Sequence, residues 1–322
     1  MKRHRLRRED YTVGWVCALP IELAAAQEVL DEEDDLFPHD SNDTNLYTLG
    51  RVGEHNVIIA CLPAGQTGTN SAAAVAVQMK LKFPSIRLGL MVGIGGGVPS
   101  DKADIRLGDV VISQPDKQHG GVVQYDFGKT TPSGFERTGY LNTPPTNLLN
   151  ALQRLKANHS RGRNSLAKFL SPFSRLPEFA LENAGPDILF EPTYEHLGGN
   201  TCEMCSINRQ IKRKSRENPD IVVHYGNIAS GNYVMRDGIT RDKLSSELGG
   251  VLCFEMEAAG LMNSFPCLVI RGICDYADSH KSKKWQPYAA ATAAACAKEV
   301  LSVIPAARVI KMPTIDNAVK FV

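Results

Sequence analysis

GVLCFEMEAAGLMNSFPCLVIRGICD, residues 250–275, holds the alternation that decides the fold. An apolar, β-branched run (250–256) gives way to a segment of helical character (257–265), and that to a second apolar run (266–274). Short apolar runs of this kind read as strands buried on both faces, and strands alternating with helices along the chain indicate a largely parallel sheet. Outward from this unit the same alternation repeats. Strands are predicted at 11–19, 55–63, 86–94, 108–113 and 221–229. Helical segments are predicted at 20–33, 69–83 and 288–304. The expected fold is α/β: a single-domain three-layer sandwich whose central twisted sheet is mixed but mostly parallel and flanked by helices. Antiparallel additions fit where no helix intervenes, as around 86–113. Residues 150–220 lack βα alternation and read as a helix followed by an insertion. Residues 1–10 read as a basic tail, 11–305 as the domain and 306–322 as a C-terminal tail.

Composition narrows the function classes. The chain has 322 residues, 43% hydrophobic and 22% charged, enough for a sizeable core. A formal net charge of +1 gives no global field that would attract nucleic acid or a membrane surface. No apolar run reaches the ~18 residues of a membrane span. Six of the eight cysteines stand in apolar segments, where they act as small hydrophobes in a reducing compartment. A cytoplasmic protein is expected.

The opening stretch also poses a problem. Glu255 and Glu257 flank Met256 inside apolar sequence, on the same face of one strand by period-two alternation. A carboxylate buried without a partner is costly, so each needs something to bind. Other unusual residues cluster at strand ends, where open α/β sheets bind ligands. Pro20-Ile21-Glu22 follows the first strand, Ala64-Gly65-Gln66-Thr67-Gly68 the second, and Gly93-Ile94-Gly95-Gly96-Gly97 the third. Ser230 to Asp237 follows 221–229, and Asp275 closes the last strand. Each has a plain reading, such as a first-turn acid for Glu22 or a capping acid for Asp275. GIGGG lacks both the dinucleotide-binding spacing and a terminal GK[ST]. The repetition at one sheet edge favours a shared site.

These residues resemble the nucleoside phosphorylase and nucleosidase superfamily, more closely its methylthioadenosine/adenosylhomocysteine nucleosidase branch. The resemblance rests on FEMEAAG with VIRGICDYAD, on GLMVGIGGGV, on CALPIELAAA, and on the order GDVVIS, GGVVQYDFGKT and SGNYVMRD. It covers about 11–149 and 221–304 and looks like the version found in fungal multidomain, immune-receptor-like chains. It implies that Glu257 binds the ribose hydroxyls and Met256 packs on the ribose. Asp275 would protonate the purine at N7, and Glu22 would position the attacking water. Asn232, Tyr233, Val234 and Met235 would contact the base, with Gly95 and Gly96 beside the substrate. Cys274 stands where the bacterial enzymes carry Ser. Relatives are oligomers, so a homo-oligomer, dimer or trimer, is expected.

The chemistry needs these types. N-glycosidic cleavage builds a ribosyl cation that carboxylates stabilise, and the purine leaves well only when protonated. Hydrolysis is preferred to phosphorolysis: the glycine-rich strand end and first loop carry no arginine, and Glu22 would repel a phosphate dianion. Lys102 and Arg106 are the nearest cations in sequence. The expected substrate is a purine nucleoside or nucleotide, adenosine or ATP. His119, Lys129, Arg236 and Arg241 are the candidate phosphate contacts. The alternatives are a purine nucleoside phosphorylase and a non-catalytic purine-sensing module.

No cofactor or metal is called for. Cys202 and Cys205, with His196 upstream, have the spacing of half a zinc site, but a second well-spaced pair is missing.

Overall fold

The computed structural model describes residues 6–35, 37, 43–199, 201–216 and 221–319. The first five residues of the expected basic tail and the last three of the C-terminal tail lie outside these. β1 (Val13–Cys17) leads into α1 (Pro20–Glu28), which opens with Pro at its first position. Then come β2 (Glu32–Glu33), β3 (Tyr47–Val52), β4 (His55–Cys61), α2 (Thr69–Lys82) and β5 (Leu88–Gly97). β6 (Val110–Ser113), β7 (Val122–Gln124) and a hairpin of β8 (Gly128–Thr131) and β9 (Gly134–Arg137) follow. α3 (Thr146–Ser160), α4 (Leu166–Leu170) and α5 (Leu181–Ala184) precede β10 (Val223–Gly226) and β11 (Ile228–Ser230). The chain continues through α6 (Gly238–Glu247), β12 (Cys253–Glu255), α7 (Ala258–Leu261), β13 (Cys267–Asp275) and α8 (Gln286–Ser302).

One sheet runs in the order β10-β6-β13-β5-β1-β4-β3-β2. β1 pairs in parallel with both β4 and β5, and β13 in parallel with β5. β6 is antiparallel to β13, and β3 to β4. Alternation along β1 sends Val13, Trp15 and Cys17 to one face, against α1 and α8, and Val16 to the other, against α2 and α7. Each fully buried aliphatic side chain in these layers contributes roughly 1.5–3 kcal/mol.

Three sequence expectations change. The run 221–229 is two strands, β10 and β11, broken at Asn227, whose amide bonds Gly121 and Asp116 in the neighbouring loop. β3 and α6 are elements the apolar pattern did not reveal, because one is half-exposed and the other mostly polar. GIGGG is not a loop. β5 continues through it to Gly97, leaves β1 behind and pairs antiparallel with β12 at Gly96 and Gly97. β12 pairs with β11 and β11 with β7, forming a second arm of the sheet. The site lies where β5 changes partners.

Candidate active site

A pocket of about 250 Å³ opens at this point. Its lining brings together Glu22, Gly95, Gly96, Met256, Glu257 and Asp275, with Tyr233, Val234 and Met235 at one side. The four acidic and methionine positions come from α1, the β12–α7 junction and the end of β13, elements far apart in sequence.

Glu22 sits in the first turn of α1 and is 4% exposed. Its Oε2 accepts from the Ala18 and Leu19 amides at 2.7 and 3.0 Å, and its Oε1 from the Ile94 amide at 2.8 Å. These bonds fit the plain reading as a first-turn helix acid, and the same carboxylate also lines the pocket. Burial raises its pKa, while Arg271 and the three amides oppose that rise. Gly93 makes the approach feasible: a Cβ there would overlap Glu22 Oε1 and stand 2.6 Å from an Arg271 nitrogen.

Arg271 is the residue that resolves the pair of glutamates. It lies mid-strand in β13, 1% exposed, with its guanidinium among three carboxylates. It bonds Glu255 directly, reaches Glu257 at 3.3 Å and stands 3.9 Å from Glu22. Glu255 also accepts from the Glu257 and Ala258 amides, so it closes the start of α7. Glu257 keeps one oxygen toward Gly68, whose amide donates at 3.2 Å. Burial pushes the Glu257 carboxyl up to about 7; Arg271 opposes this, and the neighbouring Glu255 and Glu22 charges add to it. Arginine inside the apolar run LVIRGIC was the available signal: a buried cation needs buried acids, and Glu255 lacked a partner.

Asp275 is in a different setting. Lys281 Nζ donates to its two oxygens at 2.9 and 3.0 Å, and the Ala277 amide donates to Oδ1 at 2.8 Å. Ala277 takes a left-handed backbone conformation, φ 51°, which is strained for a residue with a side chain and aims its N–H at the carboxylate. The Cys274 thiol lies 3.3 Å from Oδ2, a weak donor where the resemblance implies a hydroxyl. Burial disfavours the Lys281 charge, but Asp275 outweighs it and raises the Lys281 pKa. A Cβ on Gly96 would crowd Asp275 Oδ1 at 2.7 Å.

Other expected residues are placed differently. Asn232 is outside the pocket lining, because its amide is committed elsewhere: Oδ1 accepts from Thr69, and Nδ2 donates to Asp126. Tyr233 and Val234 are exposed at the mouth, and the Tyr233 carbonyl accepts from Tyr125 Oη at 2.7 Å. His119 lines a separate cavity with Arg137 and Asn263, and Lys129 pairs with Glu136 on the β8–β9 hairpin. Arg236 is exposed next to the mouth. Arg241 is buried and bonds Asp242 and the Tyr276 carbonyl, and Arg106 bonds Asp104. Neither reaches the pocket lining. His196, Cys202 and Cys205 do converge, with ligand atoms within 4.8 Å of one another. Besides Arg271, sequence reading missed Lys281, in the polar stretch before α8, and Gln286, the first residue of α8, both of which line the pocket.

A nucleotide-binding leucine-rich repeat (NLR)-like protein of Hyaloscypha variabilis is 49% identical over 94% of this chain, which matches only 30% of that protein. A 5′-methylthioadenosine/S-adenosylhomocysteine nucleosidase of Mycobacterium bovis is 25% identical over 91% of this chain and 97% of its own length. An Escherichia coli ATP nucleosidase, Cap17, is 24% identical over 86% of this chain and 48% of its length. The chain thus spans under half of two of these relatives. In fold it is similar to a Helicobacter pylori 5′-methylthioadenosine/S-adenosylhomocysteine nucleosidase, with TM-score 0.59, 17% identity and coverage of 92% and 100% of the two chains. The family described as the phosphorylase superfamily matches residues 12–304, and the chain belongs to it.

Proposed function

We propose that this chain hydrolyses the N-ribosidic bond of an adenine nucleoside or nucleotide and releases adenine. The observation that carries this reading is the charge balance at the pocket floor: Glu22, Glu255 and Glu257 surround a single guanidinium. These carboxylates outnumber the cation in a buried and pre-organised setting, and a ribosyl cation forming beside them favours their ionised forms and is stabilised by them. The nucleosidase relatives from Mycobacterium bovis and Escherichia coli support the same reaction class.

In this mechanism Glu257 accepts hydrogen bonds from the ribose hydroxyls and Met256 packs against the sugar. Glu22 has its Oε atoms fixed by backbone amides and orients a water at the anomeric carbon. That water supplies the new C–O bond as the C–N bond breaks, and Glu22 takes up its proton. Asp275, at the end of β13, delivers a proton to N7 so that adenine leaves neutral. Lys281 stays charged and fixes the Asp275 carboxyl in place. A phosphate nucleophile is disfavoured, because Arg271 is saturated by carboxylates and Lys281 is paired with Asp275.

Product chromatography tests this. Purified protein with adenosine, 5′-methylthioadenosine, AMP or ATP should release adenine equally with and without phosphate. Ribose 1-phosphate formed only in the presence of phosphate would establish phosphorolysis instead. Purine binding with no turnover of any of the four would establish a sensing module.

A further inference from the structure

Behind the Asp275 strand end, the polar segment before β10 returns to the sheet and brings a set of soft ligands together. His196, Cys202 and Cys205 offer ligand atoms within 4.8 Å of one another. The Cys205 amide donates to the Cys202 carbonyl at 3.0 Å, a turn that points two thiols the same way. Sequence spacing left this set one ligand short of a closed site.

A candidate fourth donor lies next to this group, outside its 4.8 Å span, and lines the same cavity as Cys202. His280 follows β13 and packs beside His196, with ring centroids 5.5 Å apart and planes at 79°. Its side chain is 5% exposed, held by stacking on Phe190 at 4.1 Å. Its Nε2 is buried with no hydrogen-bond partner among the described residues. An unpaired buried nitrogen is costly and calls for something to bind. The opposite nitrogen, Nδ1, faces Ser279 Oγ at 3.5 Å and Asp278 Oδ1 at 3.8 Å. The hydroxyl is at the outer limit of a hydrogen bond and the carboxylate just beyond it, on the side where metal-binding histidines carry their orienting partner. His196 is oriented likewise: Nε2 bonds the Thr201 carbonyl at 3.1 Å, and the lone pair of Nδ1 accepts from the Gly198 amide at 3.0 Å. The His196 amide donates to Ser279 Oγ at 3.0 Å, so the two histidine-bearing loops are already tied together.

We propose that Cys202, Cys205, His196 and His280 bind one structural Zn²⁺. Two thiols lose their protons to solvent as the thiolates bond the metal, and His196 Nδ1 exchanges the Gly198 amide for it. Tetrahedral Cys₂His₂ is a closed set with no open position for substrate. The metal pins His196 and residues 201–210 onto the loop that carries Asp275 and Lys281. Glu203 and Cys202 border the same cavity as Asp275 and Tyr276, about 240 Å³, which places the zinc behind the acid and not in the substrate pocket.

Metal analysis of protein purified without chelator should give about one zinc per chain. Cobalt substitution should give the intense visible bands of a tetrahedral site and thiolate-to-cobalt charge transfer in the near ultraviolet. Cys202→Ser with Cys205→Ser should abolish both signals. His280→Asn, checked for native circular dichroism, should weaken zinc affinity by at least ~10-fold while keeping the charge-transfer band. The wild-type melting temperature should fall on chelation, and that of the double Ser variant should not respond. Protein from zinc-supplemented culture that carries no zinc, or carries a Cys202–Cys205 disulfide in its place, would overturn the proposal. So would a folded His280→Asn variant with unchanged zinc affinity.

Discussion

Two carboxylate settings meet in one pocket, and they differ in how their charge is held. Around Arg271, three glutamates share one cation in the interior, and burial raises Glu22 and Glu257 toward their neutral forms. At Asp275 one carboxylate meets one lysine at the pocket edge, where the Lys281 side chain is still 24% exposed. The first setting is charge-dense and rigid, since every glutamate there is also fixed by backbone amides. The second is a single pair on a strained turn. A rigid negative floor suits a cation that forms in place. An acid at the pocket edge stands where solvent and the leaving base can both reach it, which suits the proposed exchange of a proton with the base. In the proposed reaction the first setting serves the sugar and the second the leaving base.

The largest expected effect separates them by chemistry. Asp275→Asn keeps the shape and removes the proton donor, so kcat for adenine release should fall by roughly 10²–10⁴-fold with little change in stability. Steady-state kinetics with adenosine read this, and unchanged kcat would remove Asp275 from the mechanism. The next effect separates them by stability. Arg271→Met leaves three buried carboxylates without a cation, and breaking such a cluster costs about 3–5 kcal/mol. Denaturant unfolding should show that loss, largest at alkaline pH, where the unpaired acids are charged. Lys281→Met should cost clearly less, because Asp275 keeps the Ala277 amide and access to water. Equal losses would mean that the two settings are not distinct.

How legible each setting was in sequence follows the same division. The sheet could be read from alternating apolar runs such as 250–275, because burial on both faces leaves an unmistakable pattern. Glu22, Glu257 and Asp275 could be placed at strand ends, because chain order fixes which ends share an edge. Arg271 was hidden because its partners come from α1 and from the β12–α7 junction, and side-chain direction across strands is not a property of one segment. Lys281 was hidden by polar surroundings in which a lysine reads as solvated surface. Asn232 shows the converse. Its motif placed it beside the substrate, yet its hydrogen bonds go to Thr69 and Asp126, so it shapes a loop. The partner change of β5 was unreadable for a related reason: a glycine run reads as a turn unless the strand it will pair with is known.

pH gives a third way to sharpen the contrast. Burial pushes the Glu257 carboxyl up to about 7, above the ordinary carboxylate range, and in the proposed mechanism it acts when ionised. The kcat/KM should therefore rise with pH through about 7, falling about tenfold per unit below it. Stability should move the other way. A carboxyl with a raised folded-state pKa stabilises the fold at acid pH, and that contribution is lost as pH climbs from the ordinary range through about 7. Glu257→Gln should flatten both trends, at the cost of ribose affinity. A stability that rises over this window would contradict the buried floor described above.

The smallest effect concerns the mouth that joins the two settings. Asn232 Oδ1 accepts from the Thr69 amide and hydroxyl at 3.1 and 3.0 Å, and its Nδ2 and amide donate to Asp126 at 3.0 and 2.7 Å. It therefore ties the loop that carries the Gly68 amide, a donor to Glu257, to the loop that carries Tyr233 to Met235. Asn232→Ala removes the side-chain bonds, each contributing about 0.5–1.5 kcal/mol. Those bonds position the walls and not the reacting groups, so the loss should appear as a several-fold rise in KM with kcat nearly held. A fall in kcat with unchanged KM would instead place Asn232 among the groups that act in the transition state. The division between floor and edge would then have to include a third participant at the mouth.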